Sequence, residues 1–178
     1  MEKKNKSKKK ITALQVLSEM EKISREIKAP SIEPRYIIGS KYNDKTANGL
    51  TKAIITFLNL SGMQAERINN MGRMVDRTKI ITDSVGFKRS IGSVEWQKGT
   101  GTRGTADISS VIKGLSVKIE VKIGKDVQSD HQKKYEESIT QAGGVYLIAK
   151  EFGPFVKWYV GKFGRPEIFS KALERILS

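Results

Sequence analysis

A chain of 178 residues with 38% apolar and 29% charged residues has enough material for a domain with a real core. It holds no cysteine and a single histidine, His131, which excludes disulfides, thiolate zinc sites and polyhistidine metal centres. A formal charge of +14 points to a polyanionic partner, nucleic acid before an anionic membrane surface. No apolar run is long enough to span a membrane and the first residues lack the apolar segment of a signal peptide, so the expected location is cytoplasmic.

The first ten residues, MEKKNKSKKK, carry six lysines and one glutamate and read as a disordered basic tail. Removing that +5 leaves +9 on residues 11–178, so the folded part is basic as well. Ala13, Val16, Leu17, Met20 and Ile23 recur at helical spacing and predict an amphipathic helix over 12–27, opened by a Thr12/Gln15 capping box. A proline-bearing linker, APSIEP, follows at 29–34. Leu50, Ile54, Phe57 and Leu58 predict a second helix over 45–60, capped by Asn43 or Asp44 and ended by Ser61-Gly62. QAERIN reads as a strand, and TKIITDSVGFKRSIGSVEWQ as short strands separated by glycines. Strands are expected at 105–112, 115–123 and 145–149, and helices at 129–142, 152–162 and 166–177. The expected division is a basic tail with a helical extension over 1–35 and an α/β domain over 36–178.

Gly99-x-Gly101-x-x-Gly104 has the letters of a dinucleotide-binding loop. Such a loop must open a helix, because the pyrophosphate rests on the helix N-terminus. The residues after Gly104, TADISSVI, are β-branched and strand-forming, so the cofactor reading fails on context. The strand LSVKIEVKI is more informative. Leu115, Val117, Ile119, Val121 and Ile123 alternate with Ser116, Lys118, Glu120 and Lys122, which sets an apolar face against a charged one. If Lys113-Gly114 is a two-residue turn, Ile112 pairs with Leu115 and paired positions sum to 227, which sets Asp107 opposite Glu120. A three-residue turn would shift that register by one.

Two carboxylates so placed repel unless a cation lies between them. Hard oxygen ligands suit Mg²⁺, with Mn²⁺ as the alternative, and such an ion polarises a phosphodiester and acidifies water. A lysine beside them orients that water and counters charge building on the phosphate. Asp107, Glu120 and Lys122 are therefore the minimum set for metal-assisted phosphodiester hydrolysis, set against the plainer reading of a salt-bridge ladder on an exposed sheet face.

The run from Gly104 to Ala149 resembles the PD-(D/E)xK nuclease superfamily, and within it the virus-type replication-repair nuclease group. The resemblance implies a restriction-endonuclease-like core, a mixed β-sheet flanked by helices. It implies Asp107 and Glu120 as metal ligands, the Val121 carbonyl as a further ligand, Lys122 as the catalytic lysine and Gln132 as an active-site glutamine. Gly104 matches the glycine before the acidic motif. The chain departs from the pattern at Ala106, where the motif has proline, and in the 45–60 helix, where Asn48 and Thr51 stand in place of a glutamate. The second departure puts a second metal site in question.

Gln132 also completes a capping box with Ser129, a purely structural use, while its helical face is shared with Tyr135, Ile139 and Ala142. Lys98, Arg103, Lys125, Lys133 and Lys134 are candidate phosphate contacts, with solvated surface as the plain alternative for each. His131 reads as a surface or groove residue, and Trp96 and Trp158 as core. The expected function is metal-dependent DNA endonuclease activity, with selectivity for branched, nicked or flapped DNA left open. The alternative is a non-catalytic nucleic-acid-binding protein. The oligomeric state is open, a homodimer included.

Overall fold

The computed structural model describes residues 11–69, 72–99 and 101–178; the tail expected over residues 1–10 lies outside them. Thr12 and Gln15 form the expected reciprocal capping box, and α1 runs over Ala13–Lys28. Its Val16, Leu17 and Met20 are buried in the same apolar core as the rest of the chain, so the segment expected as an extension is a structural part of that core. α2 spans Ala47–Leu60, and its cap is not Asn43 or Asp44 but Thr46, whose hydroxyl accepts from the Gly49 amide at 3.1 Å. Asp44 instead accepts from the Phe152 amide at 3.1 Å, capping a helix more than a hundred residues away.

The main sheet has four strands: β1 (Gln64–Arg67), β6 (Ile108–Ile112), β7 (Leu115–Val121) and β8 (Val145–Ala149), in the order β1-β6-β7-β8. β1, β6 and β7 are antiparallel neighbours, and β8 joins β7 in parallel after a crossover through α3 (Asp130–Gln141). α4 (Phe152–Phe163) and α5 (Glu167–Leu177) close the chain. The chain is thus mixed α/β, a mixed sheet flanked by helices.

The core lies between the sheet and α1, α2, α4 and α5. Phe57 of α2 is its hub, meeting the rings of Phe152, Phe155 and Tyr159 edge-on at 5.9, 5.9 and 5.1 Å. Val117, Ile119 and Val121 point into this core from β7, as the alternation predicts. Trp158 is packed there against Phe155 and Phe163. Trp96 is not in the core: it is 58% exposed.

It stands on an arm inserted between β1 and β6. β2 (Arg73–Asp76) pairs with β5 (Val94–Gln97), and β3 (Lys79–Thr82) with β4 (Lys88–Ile91). Both ladders follow one diagonal register, and the Arg77 amide donates to Ser93 O at 3.1 Å between them. They are one long hairpin, with its tip around Ser84–Gly86 held by Asp83 Oδ1, which accepts from the Val85 and Phe87 amides.

Candidate active site

The β6–β7 turn sets the geometry. Lys113 (φ 48°) and Gly114 (φ 82°) are both left-handed, the requirement of a two-residue type I′ turn. Ile112 therefore pairs with Leu115 and Ile108 with Ile119. One residue further along that register Asp107 lies opposite Glu120. Asp107 Oδ2 accepts from the Val121 amide at 2.9 Å, and its carbonyl accepts from Ile68 at 2.8 Å, which ties it between β7 and the end of β1.

Glu120 and Lys122 do not form an exposed ladder. α3 covers their side of the sheet, leaving Glu120 only 2% and Lys122 only 7% exposed. Lys122 Nζ lies 3.1 Å from Glu120 Oε1, 3.4 Å from Asp126 Oδ2 and 3.1 Å from Gln132 Oε1. Gln132 Nε2 donates to Glu120 Oε1. The same Gln132 Oε1 accepts from the Ser129 amide at 2.9 Å, while Ser129 Oγ accepts from the Gln132 amide. The capping use and the site use of Gln132 are thus simultaneous: the cap fixes the rotamer that reaches Glu120.

The electrostatics follow from burial and crowding. Burial, and then the neighbouring Asp107 charge, push the Glu120 carboxyl above its ordinary pKa despite the opposing pull of Lys122. Burial pulls Lys122 down, but its pairs with Glu120 and Asp126 outweigh this and hold it above the usual lysine value. Lys122 is therefore a cation at neutral pH, a donor and not a base.

Two groups around the cluster were not read from the sequence. Tyr146 OH lies 3.5 Å from Glu120 Oε2, and burial followed by the Glu120 charge raises its pKa. Asp126 supplies the second carboxylate on Lys122. An i, i+4 spacing from Lys122 was the available signal for Asp126, whereas Tyr146 depends on the parallel β7–β8 register.

Gly104 explains how the loop reaches the cluster. Its φ is +80°, and a Cβ there would lie 2.4 Å from the His131 carbonyl carbon and oxygen, so only glycine allows the loop to press on the first turn of α3. That contact floors a cavity of about 530 Å³ lined by Lys98, Arg103, His131 and Gln132, with Gly72 and Trp96 at the arm's root. Lys98 and Arg103 are thus beside the cluster. Lys133 is 3.4 Å from Asp130 on the exposed first turn of α3, and Lys125 and Lys134 are exposed outside that lining.

Asp107 and Glu120 offer two carboxylates, and among the described residues no group of three or more His, Cys, Asp and Glu side chains gathers around one point. A sparse all-oxygen donor set fits a hard ion that keeps several waters and takes further oxygens from its substrate, which is the habit of Mg²⁺. Burial is the first cause of the raised Glu120 pKa, and the Asp107 charge, the second, is the part that a cation would relieve. No helix among the described residues is long and apolar enough to cross a membrane. No family model, no curated protein and no solved structure matches this chain.

Proposed function

We propose that this protein is a metal-dependent endonuclease that hydrolyses DNA phosphodiester bonds, with a restriction-endonuclease-like core of the kind that its resemblance to the PD-(D/E)xK nucleases implies. The observation that carries the reading is the burial of Glu120 and Lys122 in one hydrogen-bonded cluster with Gln132, beside Asp107, in a chain of charge +14. A purely binding surface has no use for two carboxylates near a polyanion, nor for the desolvation of a lysine and a glutamate.

In this proposal Asp107, Glu120 and the Val121 carbonyl hold Mg²⁺, or Mn²⁺ in its place. When bound, such an ion neutralises charge at the scissile phosphate and makes water more acidic. Lys122, kept protonated by its carboxylate neighbours, donates to the attacking water or to the phosphate oxygen as negative charge grows there. Gln132 is the positioning residue, fixing both Glu120 and Lys122 through one amide. Lys98 and Arg103, on the adjoining cavity, meet the flanking phosphates.

The test is a panel of linear, nicked, flapped and four-way DNA incubated with the protein in Mg²⁺, Mn²⁺ or chelator. Cleavage of at least one substrate in metal and none in chelator is expected. Binding without cleavage across the panel, in either metal, overturns the enzymatic reading.

A further inference from the structure

The arm over residues 73–97 has no role in the proposed chemistry, and its form is specific. Its strands leave almost every side chain exposed, including Met74, Ile80, Ile91, Val94 and Trp96, and Phe87 at the tip is exposed too. A two-stranded ribbon with no covering layer buries too little to justify itself as a stability element.

No residue is inserted on either strand between the two ladders, so the register is continuous, while Gly92 (φ +97°) and the Asp76–Thr78 turn interrupt the extended backbone between them. Arg73 and Arg77 lie on the Glu95 side of the β2–β5 ladder, and Lys79 and Arg89 on the Asp83 side of the β3–β4 ladder. The acids beside them, Glu95 and Asp83, meet Arg77 and Arg89 only at 3.7 and 3.5 Å, with the two arginines 63% and 72% exposed, so their heads stay open to another anion. A fully extended strand from Arg73 to Asp83 would reach about 33 Å at the usual rise per residue, so the arm's reach is at most about one turn of duplex DNA (~34 Å). A two-stranded ribbon matches the width of the B-form major groove. At the arm's root, the Trp96 ring rests on Gly72, and both line the cavity that Gln132 borders.

We propose that the ribbon 73–97 is a duplex-DNA-binding arm that lies along the major groove, with Arg73, Arg77, Lys79 and Arg89 on the phosphates, and leads the duplex to the Asp107–Glu120 cluster. The choice of DNA as occupant rests on the proposed nuclease function and on the arm's own charge and dimensions. A second copy of the chain would bring like charges of the basic arm together, and A-form RNA closes the major groove to such a ribbon.

The test is binding, not cleavage. The full chain is titrated in chelator onto a fluorescent DNA duplex about two turns long, over a series of salt concentrations. The variant R73Q/R77Q/K79Q/R89Q is expected to bind at least tenfold more weakly, with the slope of log K against log salt reduced by about 3–4, since each phosphate contact contributes ~0.9. R73K/R77K/R89K, which keeps the charges, should retain the wild-type slope. A control with four exposed lysines of the helical layers and their flanks changed, K28Q/K45Q/K157Q/K171Q, should lose less than about one unit of slope. An arm variant with the wild-type slope, or one no different from that control, overturns the proposal. So does equal binding of duplex RNA. So does a wild-type dimer in sedimentation that the arm variant abolishes while duplex binding is unchanged, which would assign the arm to a second copy. Because metal is absent, the outcomes separate: arm-dependent binding by a chain that never cuts refutes the nuclease alone, and cutting with arm-independent binding refutes the arm alone.

Discussion

Gln132 Oε1 accepts from Lys122 Nζ at 3.1 Å and from the Ser129 amide at 2.9 Å, so one amide oxygen caps α3 and orients the buried lysine. The two uses come apart by mutation. Ser129→Ala removes half of the capping box without touching Glu120 and should cost about 1 kcal/mol of stability while leaving cleavage near wild type. Gln132→Ala loses the other half of the box, the acceptor for the Ser129 amide, and leaves Glu120 and Lys122 without their shared amide, so it should lose a further ~1–3 kcal/mol and most of its turnover. Urea unfolding and cleavage rates on the two variants make the comparison. Equal loss of turnover in both would reduce Gln132 to a helix cap.

Asp107→Asn can still accept from the Val121 amide through its remaining oxygen while removing the charge that adds to burial in raising Glu120. The metal-free variant should be more stable than wild type at neutral pH by about 1 kcal/mol, the scale of a like-charge pair set opposite across strands. The sign follows from linkage. A carboxyl whose folded pKa is raised favours the fold below its unfolded pKa and loses that contribution as pH rises through the folded value. The advantage of Asp107→Asn should therefore be full at neutral pH and shrink as pH falls into the carboxyl range, where Glu120 takes up a proton. Added Mg²⁺ should reverse the order by stabilising only wild type. Thermal melts at two pH values, with and without Mg²⁺, read all of this.

The hairpin register was legible because a two-residue turn with glycine leaves few alternatives and fixes every pair behind it. The burial of Glu120 and Lys122 was not, because alternating charge along a strand reads as a solvated face until α3 is known to cover it. Tyr146 escaped for a related reason: a parallel partner arrives by a crossover, and no local residue sets its register against Glu120. The cap of α2 was misplaced because Asn43, Asp44 and Thr46 are all good capping residues, and the sequence does not show that Phe152 takes up Asp44 and the Thr46 hydroxyl takes up Asn43. Trp96 was expected in the core because tryptophan is more often a core residue than a base-stacking one. An arm that leaves large apolar side chains in water contradicts the usual pattern, and the sequence between β1 and β6 shows only short, weakly alternating strands.

Gly104 and Gly124 make a matched pair. Both have positive φ, but a Cβ at Gly104 meets the His131 backbone at 2.4 Å whereas one at Gly124 meets nothing within 4 Å. Gly124→Ala should cost only the conformational penalty of about 1–2 kcal/mol. Gly104→Ala should cost more and, by pushing the loop off α3, also slow cleavage. Unfolding and cleavage assays on the pair would refute the positioning role of Gly104 if the two variants behaved alike.

Deleting residues 1–10 removes six lysines but neither Thr12 nor Gln15, which cap α1. The truncated chain should keep its melting temperature and its metal-dependent cleavage. Its salt slope for DNA should fall by about 0.9 for each tail lysine that neutralises a phosphate. An unchanged slope would show the tail to be solvated and idle.

Glu120→Gln keeps the shape of the side chain and its contact with Gln132 while removing the charge on which the proposed chemistry depends. The most direct measurement is the cleavage rate of wild type and Glu120→Gln on the same DNA as Mg²⁺ is titrated, with binding followed in parallel in chelator. Wild-type cleavage should rise with Mg²⁺ to saturation, while Glu120→Gln binds DNA at least as tightly and cuts at least a thousandfold more slowly (~4 kcal/mol of lost transition-state stabilisation). A Glu120→Gln protein that cleaves at the wild-type rate across the titration would contradict the assignment of this cluster as the catalytic centre.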